Sequence, residues 1–402
     1  MLTPILIFCG TYFVLAVGRL PGSRVDRTGA AIIGASLMVG FGVLSLEEAF
    51  RAINYETIIL LFGMMIVVAH LRLSGLFALV SSWAVRHAHR PLHLLCAVIV
   101  VAGALSAFFV NDTMCLVLTP LTLDIATRLK RNPVPYLLAV GMAANIGSVA
   151  TITGNPQNML IGTFSQIPYR TFAARLAPVA AVGLVLTVLL IAVAYRAEFA
   201  DRARVEIDER PVRVHPALLW KSLLGAAGML GLFFADWSVP KVAIVVGALL
   251  LITRRVKPEK IYREIDWSLL VLFTGLFIVI AGIEKTSLLE DLAALTAQLQ
   301  LDRVAVLSGL AALLSNLVSN VPAVLLFKPL MAHLANPTRG WLTLAMASTL
   351  AGNLTLLGSI ANLIVVERAR HIARISFTEH LKVGVPLTIL SLLAGGLLLS
   401  LR

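Results

Sequence analysis

Long apolar runs separated by short polar segments dominate the chain. A helix needs roughly 20 largely apolar residues to cross the hydrocarbon core of a bilayer. The pattern therefore predicts an all-α polytopic membrane protein. The apolar runs lie at 2–17, 29–45, 57–73, 92–110, 114–128, 134–166, 172–195, 216–235, 240–253, 267–283, 304–318, 321–334, 341–366 and 378–401.

Composition agrees with this prediction. Hydrophobic residues make up 59% of the 402 residues and charged residues only 13%, whereas a soluble domain carries about 25% charged residues. Soluble enzymes, disordered chains and secreted disulfide scaffolds fit this composition poorly. The sequence contains no Walker loop, catalytic triad or metal-ligand spacing. We therefore expect neither an enzyme nor an ATP-driven pump, no metal and no cofactor, and only H⁺ or Na⁺ as a coupling ion.

The net charge of +12 arises from 33 Lys and Arg residues against 21 Asp and Glu residues. The basic residues concentrate in alternate loops, which marks the cytoplasmic side of a membrane protein rather than a nucleic-acid surface. This distribution predicts an inner-membrane protein with a cytoplasmic linker, cytoplasmic basic loops and both termini outside.

The segment 92–128 has basic residues at both flanks. One crossing would place these flanks on opposite sides, so a re-entrant hairpin with its tip at Asn111-Asp112-Thr113 fits better. The segment 304–334 has poorly charged flanks and is the expected counterpart, with its tip at Ser319-Asn320-Val321-Pro322. Roughly ten full spans and two hairpins result.

The two halves of the chain align with each other at several polar points. The alignment pairs 47–55 with 259–267, Gly63 with Gly275, Asn111 with Asn320, Pro120 with Pro329, and Thr151–Asn158 with Thr355–Asn362. About five spans in each half would invert the second half relative to the first, as in many secondary transporters. We therefore predict a first inverted repeat at 1–195, a linker at 196–215 and a second inverted repeat at 216–402.

Four polar clusters lie deep within apolar sequence, two at the hairpin tips and two at predicted helix breaks. Unwound backbone at membrane depth is tolerated only where it is buried in protein or lines a wet cavity, and helix ends there attract ions. The clusters predict one central site with pseudo-twofold symmetry. Its candidate substrate- and ion-binding residues are Asn111, Asp112, Thr113, Gly154, Asn155, Asn158, Ser319, Asn320, Asn353, Gly358, Ser359 and Asn362.

Asp112 is the most informative single residue, because a carboxylate at the bilayer centre is costly unless it is paired or hydrated. It is a candidate to carry a proton or to hold a cation. A structural role beside Lys328, in the second hairpin, is the alternative. An Asp112–Lys328 pair that opens during transport is a further hypothesis.

These motifs resemble the ion transporter superfamily that contains arsenite permeases, NhaD-type sodium/proton antiporters, and divalent anion and citrate symporters. The resemblance covers nearly the whole chain. It rests on Asn111-Asp112-Thr113, Gly154-Asn155-Pro156-Gln157-Asn158, Ser319-Asn320-Val321-Pro322, and Gly352-Asn353 with Gly358–Asn362. It implies a scaffold domain, a mobile transport domain that carries the hairpins, elevator-like alternating access and a homodimer in the lipid bilayer.

The hairpin tips bear on the substrate. Dicarboxylate members that look similar carry Ser-Asn-Thr at both tips, whereas here an acidic residue, Asp112, occupies the first tip and would repel a dianion. The tips look closer to the arsenite-permease branch, which implies a proton-coupled permease for arsenite or antimonite. A sodium- or proton-coupled symporter of a small inorganic anion, citrate or succinate is the alternative. Cys115 is interpreted as a packing residue rather than an arsenic ligand.

Overall fold

The computed structural model describes residues 2–19, 22–86, 90–200, 214–286 and 299–401. Within these ranges the chain is helical and forms no β-strand. In chain order the α-helices are α1 (Leu2–Val17), α2 (Arg27–Gly40), α3 (Leu46–Ala52), α4 (Tyr55–Ser74), α5 (Leu76–Arg86), α6 (Pro91–Phe108), α7 (Asn111–Arg128), α8 (Pro133–Ser148), α9 (Pro156–Ser165), α10 (Tyr169–Ala194), α11 (Arg196–Ala200), α12 (Pro216–Phe234), α13 (Val239–Leu251), α14 (Pro258–Tyr262), α15 (Trp267–Glu284), α16 (Val304–Val318), α17 (Asn320–Met331), α18 (Pro337–Leu350), α19 (Ile360–Ala369) and α20 (Phe377–Ser400).

Six helices in the described part of the chain are long and apolar enough to cross a membrane, namely α4, α6, α10, α12, α15 and α20. The helices α1, α2 and α13 are apolar but shorter. Two interrupted units, α8 with α9 and α18 with α19, complete the arrangement. The predicted all-helical, polytopic architecture is confirmed. Most of the predicted linker at 196–215 lies outside the described residues, so the limits of the two repeats stay a prediction.

Local sequence signals set where the equivalent helices α4 and α15 begin. Oδ1 of Asn54 accepts a hydrogen bond from the backbone N–H of Thr57 at 2.8 Å. Oδ1 of Asp266 accepts one from the backbone N–H of Leu269 at 2.9 Å. Side-chain caps of this kind satisfy N–H groups that have no partner within the helix. The alignment of the two halves pairs Asn54 with Asp266, so the same cap occurs in both.

The halves pack against each other reciprocally through α4 with α13 and α15 with α2. A Cβ on Gly63 would lie 2.6 Å from the carbonyl carbon of Ala243, and a Cβ on Gly275 would lie 2.7 Å from the carbonyl oxygen of Ala31. Small residues at helix crossings let two backbones approach this closely. Gly63 and Ala31 of the first half correspond to Gly275 and Ala243 of the second. The exchange of contacts is what a two-fold relation between the halves produces.

The helices of the second hairpin are too short to cross a bilayer. The helix α16 has 15 residues and α17 has 12 residues. At 1.5 Å per residue, α17 is about 18 Å long, whereas the hydrocarbon core is about 30 Å thick. The helices α6 and α7 hold the equivalent place in the first half and are joined only by Phe109 and Val110. Two helical hairpins therefore hold equivalent places in the two halves, with Asn111 and Asn320 at the start of their second helices.

Candidate substrate and ion site

Both hairpin tips contain a residue with a positive φ angle. Val110, which precedes Asn111, has a φ of 35°, and Ser319, which precedes Asn320, has a φ of 77°. Residues other than glycine are strained in this region, and such strain persists where the surrounding structure imposes it, often at ligand sites. The two residues are equivalent in the aligned halves. A residue with a strained backbone therefore lies at the equivalent place in both hairpins, directly before the predicted site asparagines.

The two long apolar segments that contain polar residues near their middle are both interrupted, as predicted. In the first half, α8 ends at Ser148, a 3₁₀ turn covers Ile152–Gly154, and α9 begins at Pro156. In the second half, α18 ends at Leu350 and α19 begins at Ile360, with two 3₁₀ turns between them. The interruptions leave N–H and C=O groups without partners in their own helices, as helix ends always do.

Other atoms approach the glycines of both interruptions closely. A Cβ on Gly154 would lie 2.2 Å from the carbonyl oxygen of Ser148. A Cβ on Gly358 would lie 2.6 Å from Oδ1 of Asn316. The contact at Gly154 is with the backbone and excludes a side chain there, whereas at Gly358 the Asn316 side chain would have to move. The two predicted glycines therefore allow close packing at the interruptions. The candidate side-chain ligand atoms belong to neighbouring residues.

Asn145, in the last turn of α8, joins the two halves. Its side chain is buried, and Oδ1 accepts hydrogen bonds from Nδ2 of Asn111 at 2.9 Å and from Oγ of Ser359 at 3.0 Å. Nδ2 donates to Oδ1 of Asn353 at 2.8 Å and to Oδ1 of Asn362 at 3.5 Å. One amide thereby connects the first hairpin tip to the broken helix of the second half.

Thr349 occupies in α18 the position that Asn145 occupies in α8. The Thr349 hydroxyl accepts hydrogen bonds from Nδ2 of Asn155 and from Nε2 of Gln157, each at 3.2 Å. Asn155 is the counterpart of Ser359 in the aligned halves. The contact of Asn155 with Thr349 therefore repeats the contact of Ser359 with Asn145, with the halves exchanged.

Asn158 and Asn362 secure the two unwound segments with matched hydrogen bonds. Nδ2 of Asn158 donates to the carbonyl oxygen of Ser148 at 3.0 Å. Nδ2 of Asn362 donates to the carbonyl oxygen of Gly352 at 2.8 Å. These carbonyls lie where the preceding helices end, and the amides supply the donors that the helix no longer provides.

Three buried oxygens at predicted site residues have no hydrogen-bond partner in the described part of the chain. They are the Oδ1 atoms of Asn111, Asn158 and Asn320. Leaving a buried polar atom unpaired costs about 1–3 kcal/mol. Amide oxygens are good ligands for hard cations and acceptors for hydroxyl groups. These atoms are therefore the candidate ligand atoms of the site.

Asp112 and Thr113 line a cavity of about 140 Å³ beside the first hairpin tip. Arg72, Glu264 and Asp266 line the same cavity, and Arg72 forms an ion pair with Glu264. Across the described ranges, the Asp112 carboxylate has no ion-pair partner. The cavity therefore gathers three carboxylates and one guanidinium, an arrangement that attracts protons and cations.

The hypothesised pair between Asp112 and Lys328 is not formed. Nζ of Lys328 lies 3.0 Å from Oε1 of Glu284 and 5.1 Å from the ring centroid of Phe164. Lys328 follows Asn320 by eight residues, which places it about 12 Å along α17 from the tip. It therefore reaches the end of α15, where Glu284 lies, while Asp112 stays at the first tip.

Three residues of the polar network are absent from the sequence prediction, namely Asn145, Thr349 and Asn316. Nδ2 of Asn316 donates to the carbonyl oxygen of Ala351 at 2.8 Å, and Oδ1 of Asn316 accepts from Oγ1 of Thr355 at 3.0 Å. Each lies within an apolar run, and that isolation is the signal that points to them. The alignment of the halves hides them, because their counterparts differ in residue type.

Cys115 lies one turn beyond the first tip and is fully buried. Its Sγ contacts the carbonyl oxygen of Val140 at 4.0 Å. Its surroundings agree with the interpretation as a packing residue.

Comparison with known proteins identifies the family. The model of the citrate transporter family, CitMHS, matches residues 12–351. This chain belongs to the CitMHS family. It is therefore a secondary transporter and an integral, multi-pass membrane protein, and the predicted membership of the ion transporter superfamily is confirmed.

Relatives of known name extend the comparison. The silicon efflux transporter LSI3 of Oryza sativa subsp. japonica is 32% identical over 454 residues, which cover 94% of each chain. The putative transporter arsB of Dictyostelium discoideum is 25% identical over 507 residues, which cover 97% of this chain and 89% of that one. Both matches cover nearly the full length of this chain, so the similarity concerns the whole protein and not one segment of it.

A solved structure shares the fold. The YdaH transporter of Alcanivorax borkumensis superposes with a TM-score of 0.62 and 15% sequence identity, over 99% of this chain and 96% of that one. Its crystal structure was described as having an unusual topology. At this identity the likeness concerns the arrangement of helices and not the substrate.

Proposed function

We propose that this transporter moves a small neutral metalloid hydroxide, of the arsenite or antimonite type, in exchange with protons and by elevator-like alternating access. The observation that carries the proposal is the uncharged character of the central network. Asn111, Asn145, Asn353, Ser359 and Asn362 form it from amides and a hydroxyl. Arsenite is a neutral trihydroxide near neutral pH, and amides both donate to and accept from hydroxyl groups.

The hydrogen-bond partners of this network separate its substrate class from a tricarboxylate. In the described part of the chain, no Lys or Arg is hydrogen-bonded to these five residues. A multiply charged anion buried without a cation or a bound coupling ion would be strongly disfavoured. A neutral hydroxide has no such requirement. The relatives named as a silicon efflux transporter and as arsB also favour a metalloid substrate.

Proton coupling is assigned to Asp112. Its carboxylate lines the cavity of about 140 Å³ together with Asp266 and Glu264. A carboxylate held near other carboxylates in a membrane protein is stabilised when a proton or a cation accompanies it. Asp112 would bind a proton and the amide network would bind the substrate in turn. This alternation would couple the proton flux to the substrate flux.

A symporter of citrate or another small carboxylate is the second candidate. The description of the family as citrate transporters favours it. The helices α9 and α19 also begin within the site, at Pro156 and Ile360, and helix N-termini attract anions. In this case the unpartnered oxygens of Asn111, Asn158 and Asn320 would hold Na⁺ ions that neutralise the substrate.

Counterflow in proteoliposomes distinguishes the two candidates. Purified protein would be reconstituted and tested with arsenite, antimonite, silicic acid, phosphate, succinate and citrate under imposed proton and sodium gradients. The proposal expects saturable arsenite or antimonite flux that responds to the proton gradient. Accumulation of citrate or succinate without metalloid flux would replace it with the second candidate.

We further propose that the transporter is a homodimer in the inner membrane, with its basic loops on the cytoplasmic side. The concentration of Lys and Arg in alternate loops supports this sidedness. A C-terminal fusion to alkaline phosphatase should be active and a C-terminal fusion to green fluorescent protein should be dark. The opposite pair of results would reverse the orientation, and a monomeric mass in light scattering would exclude the dimer.

A further inference from the structure

An open groove of about 760 Å³ lies between α16 and α20, away from the central polar network. The wall of the groove is apolar, and it includes two glycines beside which there is open space. No atom lies within 4 Å of the position that a Cβ on Gly309 would take, and the nearest atom to a Cβ on Gly396 would be 3.7 Å away. The aliphatic side chains of the wall are those of Val304, Ile389, Leu392, Leu393 and Leu397.

One end of the groove is positively charged. Arg303 and Arg339 both line it, and neither guanidinium has a hydrogen-bond or ion-pair partner among the residues that the structure describes. Asp302 also lines the groove, where its Oδ1 accepts from the backbone N–H of Ala335 at 2.8 Å. Ser400, the last residue of α20, lines the same groove. The charged end therefore lies where α16 begins and α20 ends, which is the expected depth of lipid headgroups.

A buried polar atom within the groove points to a ligand. The side chain of Ser308 is 6% exposed, and its hydroxyl has no partner in the described ranges. Ser308 lines the groove about one turn along α16 from Arg303. A serine in a membrane helix usually donates to a carbonyl of the preceding turn or to a neighbouring helix. Here the hydroxyl has no such partner, and because its oxygen is almost fully buried, an ester or phosphate oxygen would reach it after the side chain turns toward the groove.

We propose that this groove binds one anionic phospholipid. The phosphate would lie between Arg303 and Arg339, and the hydroxyl of Ser308 would contact the ester region. An acyl chain would lie along the apolar wall of the groove, over Gly309 and Gly396. Basic pockets between membrane helices hold anionic lipid headgroups in this way. A helix of a second copy would fill the apolar groove but would offer no phosphate to the two guanidinium groups.

Native mass spectrometry of the full-length protein tests the proposal. The purified protein would be stripped of lipid and titrated with dioleoyl phosphatidylglycerol, with dioleoyl phosphatidylcholine, and with inorganic phosphate. We expect one phosphatidylglycerol per chain, with phosphatidylcholine binding more weakly and inorganic phosphate failing to compete. The double variant R303Q/R339Q should bind phosphatidylglycerol at least about fivefold more weakly, because each basic residue near a headgroup contributes appreciably to lipid binding.

The matched control is R254Q/R255Q, which removes two exposed arginines from the loop after α13 and should leave the phosphatidylglycerol affinity unchanged. Equal elution volume and helicity of all variants would show that they fold. Unchanged phosphatidylglycerol binding by R303Q/R339Q overturns the proposal. Spontaneous disulfide dimers of Gly309→Cys in membranes would also overturn it, because a second copy would then occupy the groove. Neither outcome depends on which substrate is transported.

Discussion

The Oδ1 atom of Asn145 accepts a hydrogen bond from the Ser359 hydroxyl at 3.0 Å, although the two residues are 214 positions apart in the chain. The bond joins the end of a broken helix in one half to the start of a broken helix in the other. It places the point of contact between the halves inside the proposed transport site. Movement of either broken helix therefore alters the geometry that the substrate meets.

Replacement of Asn145 by alanine should impair transport strongly. The change removes the donor and acceptor shared by four buried partners, and each buried polar atom left unpaired costs about 1–3 kcal/mol. We expect at least about a tenfold loss of counterflow rate, which corresponds to about 1.4 kcal/mol, together with a lower melting temperature in detergent. Ser222→Ala is the control, because the buried Ser222 hydroxyl has no partner within the described residues. Retention of full activity by Asn145→Ala would remove this amide from the site.

Neutralising Asp112 should separate substrate movement from proton movement. Asp112→Asn keeps the size of the side chain but cannot release a proton, so an imposed pH gradient should no longer drive accumulation while exchange of substrate continues. Fluorescent pH recording in proteoliposomes together with tracer uptake measures both fluxes. Asp124→Asn is the control, since Asp124 forms an ion pair with Arg128 on the same helix. A pH response as large in Asp112→Asn as in the wild type would contradict the coupling role.

A double-mutant cycle should identify the functional partner of Lys328. The Lys328–Glu284 pair is about one-third exposed, so its effect on stability is about 0.2–1 kcal/mol. Transport rates of Lys328→Gln, Glu284→Gln and the double variant should be non-additive, because the pair links α15 to the second hairpin. The parallel cycle between Lys328 and Asp112 should be additive. The reverse pattern would restore the Asp112–Lys328 hypothesis for another state of the cycle.

The contacts of Gly63 and Gly275 with the helices that face them should contribute equally to the stability of the protein. Gly63→Ala and Gly275→Ala each place a Cβ less than 3 Å from the backbone of the facing helix. Overpacking of this kind costs about 1–3 kcal/mol, so both variants should melt at lower temperature. Gly231→Ala on α12 meets no atom within 4 Å and should be neutral or slightly stabilising. A loss of stability in only one of the two variants would argue against equivalent packing.

The local features of the site could be predicted from the sequence because they depend on residue type and spacing. Asn111 and Asn320 were placed at hairpin tips, and Gly154 and Gly358 at helix breaks, from polar residues in otherwise apolar runs. The structure finds a turn or an interruption at each. Hydrophobic runs of membrane length and glycine or proline interruptions act within one segment of chain, so they can be detected without a tertiary structure.

Partners across long sequence distances could not be predicted. Lys328 and Asp112 are oppositely charged residues of the two hairpins, which suggested a pair, but the length of α17 carries Lys328 to Glu284 instead. Asn145 was missed because its counterpart is Thr349, so the repeat gave no signal there.

From the sequence alone, a helical membrane transporter with two related halves and asparagine-containing polar clusters within its apolar segments could be predicted. Those properties follow from hydropathy, from the positions of basic residues and from the helix-breaking residues. Only packing brings Asn145 to Ser359, lines one cavity with Asp112, Asp266 and Glu264, and forms a charged groove beside α20. These contacts could not be predicted from the sequence, because hydrogen bonds and ion pairs act over a few ångströms and the chain's packing determines which distant residues come that close.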